Sequence, residues 1–240
     1  MVRIHPVTAR LSGISLDRPA CADKLLRVLT LEPLGAPRGI VLFGAGAGGD
    51  PRRYRDLLDG FVDAGHVVLA PTNERFDPRT VTTEQLQGRV ESLISALADY
   101  HHADLPIVAS GHSVGGWTAL CLAGAQPWSR DGQPIPVAAA QRVTRLVLFA
   151  PTVGWFQAPG ALSRVEVPII VHAGENDMVT PADTATLLRA APRTVSIQVH
   201  ENVGHYDFMT ELPPNMTPTS RLDHAVFLRE LRRLAGTGIS

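Results

Sequence analysis

Three short segments of the sequence carry side chains that together could transfer an acyl group. The segment "SGHSVGG" contains Ser113, "NVGHYDF" contains His205, and "ENDMVTP" contains the carboxylates Glu175 and Asp177. A serine hydroxyl becomes an effective nucleophile when a base removes its proton and an acid orients that base. The chain order is serine, acid, then histidine, and this chemistry requires the fold to bring all three together.

The serine lies in a pattern that predicts a strained turn. The residues from Gly111 to Gly115 fit G-x-S-x-G between an apolar strand candidate and a helix candidate, with His112 at the first variable position. A sharp turn between strand and helix exposes the serine hydroxyl above the sheet, and flanking glycines let neighbouring segments pass close by. The helix that begins at Val114 also directs its amide end at the site, which favours developing negative charge.

The acid and the base each follow a strand candidate. Asp177 is the preferred acid, because it precedes the apolar pair and the proline that lead into the next helix; Glu175, nearer the strand end, is the alternative. His205 is the preferred base, since it follows the strand candidate "VSIQVHE". His172 and His200 fall inside strand candidates, and we expect them to pack in the core.

The elements between these segments alternate between strands and helices, which predicts a doubly wound, mostly parallel α/β sheet. An antiparallel strand pair, "VRIHPVTARL" with "LLRVLTLEP", is expected at the N-terminus, and residues 1–240 are expected to form a single domain. Ser220 is the expected N-cap of the last helix. The strand candidates are "GIVLFG", "HVVLAPT", "PIVASG", "RLVLFAP", "PIIVHAG" and "VSIQVHE", and the helix candidates are "PRRYRDLLDGFVDAG", "TTEQLQGRVESLISALADY", "VGGWTALCLAGA", "PADTATLLRAA" and "SRLDHAVFLRELRRL".

A second glycine-rich loop, "FGAGAGGD", has two interpretations. Its glycines fit G-x-G-x-x-G after a strand, so a dinucleotide-binding oxidoreductase is one alternative function. That fold usually ends its second strand with a carboxylate that binds a ribose, whereas this chain has Ala70, Pro71 and Thr72 there. The loop could instead stabilise an oxyanion, with one amide from Ala47 (Gly46 is the alternative) and the other from Val114.

Composition excludes several other classes. The formal net charge of the 240 residues is -1, which gives no electrostatic reason to expect nucleic acid or an anionic membrane as a partner. No apolar run is long enough to span a bilayer, and the N-terminus lacks the apolar region of a signal peptide. Cys21 and Cys121 match no metal or redox spacing, and no set of His, Cys and carboxylate residues has the spacing of a metal site, so we expect no metal. No cofactor is expected either. A cytoplasmic location is the expectation, with a mature secreted form as the alternative.

With these motifs in place, the chain resembles the α/β-hydrolase superfamily, and within it the dienelactone-hydrolase-like and platelet-activating-factor-acetylhydrolase-like serine esterases. The resemblance runs from "GIVLFGAGAGGD" to "NVGHYDF" and includes the "GHSxGG" elbow, the acid loop "GENDMVTP" and the histidine loop "GHYDF". It implies that Ser113 is the nucleophile, Asp177 the orienting acid and His205 the general base. Relatives often have His-Gly before the oxyanion residue, where this chain has Ala45-Gly46, and dienelactone hydrolases have a cysteine nucleophile, so Ser113 favours simple carboxylic esters.

The resemblance therefore implies a serine esterase that forms an acyl-enzyme and acts on a small-molecule ester with a short to medium acyl group. Thioesterase, lactonase, peptidase and acyltransferase activities use the same triad, and a non-catalytic binding protein of this fold is a further alternative. Relatives insert a lid after the strand "RLVLFAP", where this chain has only a short stretch, so we expect little or no lid. Trp155 and Phe156 follow that strand and are expected either to line the acyl pocket or to pack beneath the loop.

Overall fold

The structure is a computed structural model that describes residues 2–7, 26–101 and 104–239, so Cys21 lies outside the described residues. These residues form one eight-stranded sheet with the order β1-β2-β4-β3-β5-β6-β7-β8. The strands are β1 (Val2–Val7), β2 (Leu26–Leu31), β3 (Gly39–Gly44), β4 (His66–Pro71), β5 (Ile107–His112), β6 (Val143–Phe149), β7 (Ile169–Gly174) and β8 (Val195–His200).

The strand directions confirm the predicted fold class. Strands β3 to β8 are parallel to one another, whereas β1 pairs with β2 and β2 with β4 in antiparallel register. All residues of β3, β4 and β5 are buried, which is why these strands are continuous apolar runs without alternation. The edge strand β8 is only partly buried and alternates apolar with polar residues.

Helices cover both faces of the sheet and divide the core into two layers. Helices α2 (Thr83–Ala98) and α3 (Val114–Leu122) pack on one face, and α1 (Arg55–Asp63) and α4 (His224–Thr237) pack on the other. Every residue of α3 is buried, including Cys121. None of the helices in the described ranges combines the length and apolar character that a membrane span requires.

The candidate "PADTATLLRAA" forms a helix as predicted, a 3₁₀ helix over Ala182–Ala190. One local prediction was wrong. Helix α4 is capped by Asp223, whose side chain accepts a hydrogen bond from the amide of Val226, and not by Ser220. Since serine and aspartate are comparable N-caps, composition does not distinguish two candidates three residues apart.

The segment between β6 and β7 determines how open the site is. It contains the 3₁₀ turn Gly154–Phe156 and no α-helix, in agreement with the expectation of little or no lid. The longer connection between α3 and β6, residues 123–142, crosses the same end of the sheet and is closed by a bridge between Trp128 and Pro134.

Two helical glycines provide a matched test of the packing. A methyl group at Gly60 of α1 would overlap the carbonyl of Arg232 in α4, whereas a methyl group at Gly88 of α2 would meet no atom within 4 Å. We expect Gly88→Ala to raise the free energy of unfolding by about 1 kcal/mol through helix propensity. We expect Gly60→Ala to lower it by roughly 1–3 kcal/mol through overpacking. Urea denaturation of both variants measures this difference, and equal effects would contradict the packing of α1 on α4.

Candidate active site

Ser113 lies at the turn between β5 and α3, in a backbone conformation that L-residues rarely adopt. Its φ is 56° and its ψ is -120°. The turn is held by main-chain hydrogen bonds: the amide of Ser113 donates to the carbonyl of Phe149, and its carbonyl accepts from the amides of Gly116 and Thr152. Backbone strain of this kind persists only where the surroundings fix it, and it clusters at functional sites.

Asp177 and His205 are in direct contact. The Oδ2 atom of Asp177 lies 2.8 Å from Nδ1 of His205, and the Asp177 side chain is fully buried. The second carboxylate oxygen of Asp177 accepts hydrogen bonds from the amides of Val179 and Thr180, and the Thr180 hydroxyl donates to Oδ2. Burial raises the pKa of Asp177, but the hydrogen bonds from His205 and Thr180 outweigh it and hold this pKa below its usual value.

The structure thus distinguishes the two candidate acids. Glu175 is exposed and accepts a hydrogen bond from the amide of Asn202, on the outside of the loop. Asp177 is turned inward and meets the imidazole. An ionised carboxylate at Nδ1 keeps the proton on that nitrogen, which leaves Nε2 of His205 able to accept a proton.

His205 is placed beside the Ser113 turn through its main chain. It begins the 3₁₀ turn His205–Phe208 after β8, and its carbonyl lies 2.9 Å from Nε2 of His112, the residue before Ser113. The rings of His112 and His205 have centroids 4.7 Å apart. Among the described residues, no hydrogen bond joins the Ser113 hydroxyl to the His205 imidazole; such bonds are commonly long without substrate and shorten when it binds.

His112 links the Ser113 turn to two neighbouring loops, which the sequence pattern did not indicate, because His112 occupies a variable site of the elbow. Its ring is fully buried between two loops: Nδ1 lies 3.0 Å from the hydroxyl of Tyr54, and that hydroxyl accepts a hydrogen bond from the amide of Gly46. The chain of hydrogen bonds is satisfied if Tyr54 donates to Nδ1 and Nε2–H donates to the His205 carbonyl. Burial lowers the pKa of His112 to about 3, so the ring is neutral.

The two candidate oxyanion amides differ in what they already bind. The amide of Gly46 is engaged by Tyr54. Within the described ranges, the amides of Ala47 and Val114 donate to no acceptor and remain available as donors. This arrangement favours Ala47 over Gly46 as the partner of Val114.

The site opens into a cavity of about 540 Å³ that Ser113, Val114 and Ala47 line at its base. Trp155 lines the wall of the cavity, as expected if it contributes to an acyl pocket. Its carbonyl accepts a hydrogen bond from the amide of Trp128 at 2.8 Å. The other lining residues are Phe76, Pro78, Val81, Leu86, Trp128, Ser129, Arg130, Thr152, Gly154, Gln157, Ala158, Val179 and Thr180.

Phe156 is a correction to the expected pocket. It is 2% exposed, lies outside the cavity lining and stacks on Trp117 of α3 with ring centroids 6.4 Å apart. Neighbouring residues on a short turn point in different directions, so Trp155 faces the cavity while Phe156 packs in the core.

The structure bears on the alternative dinucleotide and metal sites as well. A pyrophosphate would be bound by the amides of the glycine-rich loop, and the Gly46 amide is already engaged by Tyr54. Across residues 2–7, 26–101 and 104–239, no group of three His, Cys, Asp or Glu residues is placed to hold a metal ion.

Comparison with solved structures identifies the fold. No protein-family model and no curated protein matches the sequence. An α/β serine hydrolase homologue from Coxiella burnetii is 17% identical with a TM-score of 0.62, covering 90% of this chain and 92% of that one. The thermophilic esterase Est2 from Thermogutta terrifontis is 18% identical with a TM-score of 0.64, covering 98% and 90%. A dienelactone hydrolase from Anabaena variabilis is 19% identical with a TM-score of 0.65, covering 99% and 97%.

These similarities extend over nearly the whole chain, and together with the strand order they show that the protein has the α/β-hydrolase fold. Other structures of the Thermogutta esterase hold propionate or butyrate, and one is phosphorylated by paraoxon.

The hydrogen bonds of Tyr54 lead to a prediction about stability. Tyr54→Phe removes a buried hydroxyl that pairs with both the Gly46 amide and His112. Leaving these groups without a partner should lower the free energy of unfolding by roughly 1–3 kcal/mol. Urea denaturation measures the loss. Tyr206→Phe is the matched control, since its hydroxyl makes no hydrogen bond within the described residues, and an equal loss in both variants would contradict the network.

Proposed function

We propose that the protein is a serine hydrolase that cleaves carboxylic esters with short to medium acyl groups. The observation that carries this proposal is the buried contact between Asp177 and His205, at the same edge of the sheet as the strained turn that presents Ser113. Burying a carboxylate against an imidazole is unfavourable unless both are well paired, and the pairing here leaves Nε2 of His205 free to act as a base.

The reaction follows from these positions. His205 Nε2 removes the proton of Ser113 as Oγ attacks the ester carbonyl carbon, and the carbonyl oxygen becomes an oxyanion. The intermediate collapses, the alcohol leaves with the proton from His205, and an acyl-enzyme on Ser113 remains. Water then attacks this ester, again giving a proton to His205, and the carboxylic acid is released as Ser113 recovers its proton. Asp177 stays ionised and stabilises the imidazolium.

The oxyanion is stabilised by the amides of Val114 and Ala47. Val114 is the first residue of α3, so its amide adds to the positive end of the helix. Preorganised amides of this kind contribute most where the charge develops in a site shielded from water.

The cavity supports a small apolar acyl group. Apart from Arg130 its lining consists of apolar and uncharged polar side chains, and Phe76, Trp128 and Trp155 supply its aromatic surface. The Thermogutta esterase, which shares the fold, binds propionate and butyrate. A small-molecule ester is therefore the proposed partner.

The proposal is tested first at the nucleophile. We expect the purified protein to hydrolyse p-nitrophenyl butyrate and Ser113→Ala to lower kcat by at least about a thousandfold, since the covalent route is lost. A fluorophosphonate probe should label the wild-type chain at Ser113, as shown by mass spectrometry, and should not label the variant. Ser110→Ala, in the strand before the elbow, is the matched control, because the Ser110 hydroxyl is buried and bonded to the Val147 carbonyl. Undiminished turnover by Ser113→Ala would overturn the proposal.

The class of acyl compound is tested by a panel of esters, thioesters, lactones and amides at equal acyl length, followed by esters of two to twelve carbons. We expect kcat/KM to be highest for oxygen esters and to fall beyond medium chain length, because the cavity of about 540 Å³ limits the acyl group. If kcat/KM were highest for thioesters or amides, the proposed triad would still be supported, but the proposed substrate class would be wrong.

A further inference from the structure

Arg89 of α2 is a buried cation that the proposed reaction does not use. It is 4% exposed, and its guanidinium donates four hydrogen bonds, all to main-chain carbonyls. Nη1 lies 3.0 Å from the carbonyl oxygen of Ala45 and 2.9 Å from that of Gly46, while Nη2 lies 3.2 Å from that of Ala47 and 3.0 Å from that of Glu74. The first three carbonyls belong to the glycine-rich loop.

Burying a guanidinium is unfavourable, so a buried arginine is expected to contribute to the structure or to the function of the protein. The Phe76 ring lies 4.5 Å below the guanidinium carbon and provides a cation–π contact. Desolvation lowers the pKa of Arg89 to about 10, so the group keeps its charge at neutral pH. A charged donor makes stronger hydrogen bonds than a neutral one, and it polarises the peptide that accepts them.

The peptide geometry relates these bonds to the site. In a trans peptide the C=O and the following N–H point in opposite directions. The carbonyl of Gly46 belongs to the same peptide as the amide of Ala47, so the bond from Arg89 turns that amide away from α2. The opposite side of the loop faces the elbow: a methyl group at Gly46 would lie 3.7 Å from Cβ of Ser113.

The neighbouring peptide is oriented in the same way. The carbonyl of Ala45 also binds Arg89, and the amide of the same peptide, that of Gly46, donates to the Tyr54 hydroxyl beside His112. The loop is thus held on its carbonyl face by Arg89 and by the Gly49 amide, which also donates to the Gly46 carbonyl at 2.9 Å, and on its amide face by the Tyr54 hydroxyl. The Ala47 amide has no partner among the described residues, and Ala47 lines the cavity beside Ser113 and Val114.

We propose that Arg89 is the positioning residue of the oxyanion site: it orients and polarises the Ala47 amide through the Gly46 carbonyl. This inference rests on the proposed function, because the amide stabilises the oxyanion of ester hydrolysis. Arg89 touches no reacting atom. Its contribution is confined to the tetrahedral state, so its loss lowers kcat and leaves ground-state binding of the ester unchanged.

The experiment compares Arg89→Met and Arg89→Lys with the wild-type chain on p-nitrophenyl butyrate. Removing an oxyanion donor costs about a hundredfold or more in kcat, so displacement of one should lower kcat on the order of ten- to a hundredfold in Arg89→Met, with KM within about twofold. Arg89→Lys keeps the charge but not the forked geometry, and kcat should fall less. If Arg89→Met shows no cooperative thermal transition, that variant is not folded, and the kcat of Arg89→Lys alone tests the proposal.

Inhibition constants distinguish the proposed positioning role of Arg89 from a purely structural role. Butylboronic acid forms a tetrahedral adduct with the serine and occupies the oxyanion position, whereas butyrate binds as a planar product. We expect the inhibition constant of the boronic acid to rise by the same factor by which kcat falls, and that of butyrate to stay constant. Arg142→Lys is the control, because Arg142 also bonds a carbonyl, that of Leu105, but on the exposed surface.

The outcomes separate this inference from the proposed function. A wild-type chain that hydrolyses the ester with Ser113 dependence, while the Arg89 variants keep kcat or raise only KM, overturns the role of Arg89 alone. A parallel weakening of boronic acid and butyrate also overturns it, because it indicates general distortion of the cavity. A wild-type chain that neither hydrolyses the panel nor is labelled at Ser113 overturns both proposals.

Discussion

The close contact between the main chains of β3, β5 and α3 determines the rest of the site. Gly44, Gly111 and Gly115 meet there, and a side chain at any of the three would clash with main-chain atoms of another. Because α3 approaches the sheet so closely, the strained Ser113 lies next to the loop that follows β3. The proposed nucleophile and the proposed oxyanion amides are therefore placed by backbone packing, which side-chain rotation cannot disturb.

Two buried charges of opposite sign flank this contact. The carboxylate of Asp177 is surrounded by hydrogen-bond donors on the side of His205, and the guanidinium of Arg89 is surrounded by carbonyls on the side of the glycine-rich loop. In the proposed reaction, positive charge develops on the imidazole and negative charge on the substrate oxygen. The negative Asp177 therefore lies beside the developing positive charge, and the positive Arg89 lies on the side of the developing negative charge. The His112 ring links the two loops and is neutral, so it adds no charge.

The sequence predicted those parts of the molecule that depend on local pattern. Continuous apolar runs indicated the parallel strands, and motif order indicated that Ser113, Asp177 and His205 follow three of them. The role of His112 was not predictable, because its partners lie 58 and 93 residues away in sequence and no local pattern marks such contacts. The same is true of Arg89, which reads as an ordinary helix residue until the fold brings it to the glycine-rich loop.

Two connections contribute much of the cavity wall, and main-chain hydrogen bonds join them, from Trp128 to Trp155 and from Gln126 to Ala161. One connection leaves α3 and the other leaves β6, and neither contributes a member of the proposed triad. A change of length in either connection is therefore expected to alter the shape of the cavity, because the two are joined. In the proposed hydrolase, the range of substrates can therefore change through these connecting segments, whereas the proposed triad lies on other segments.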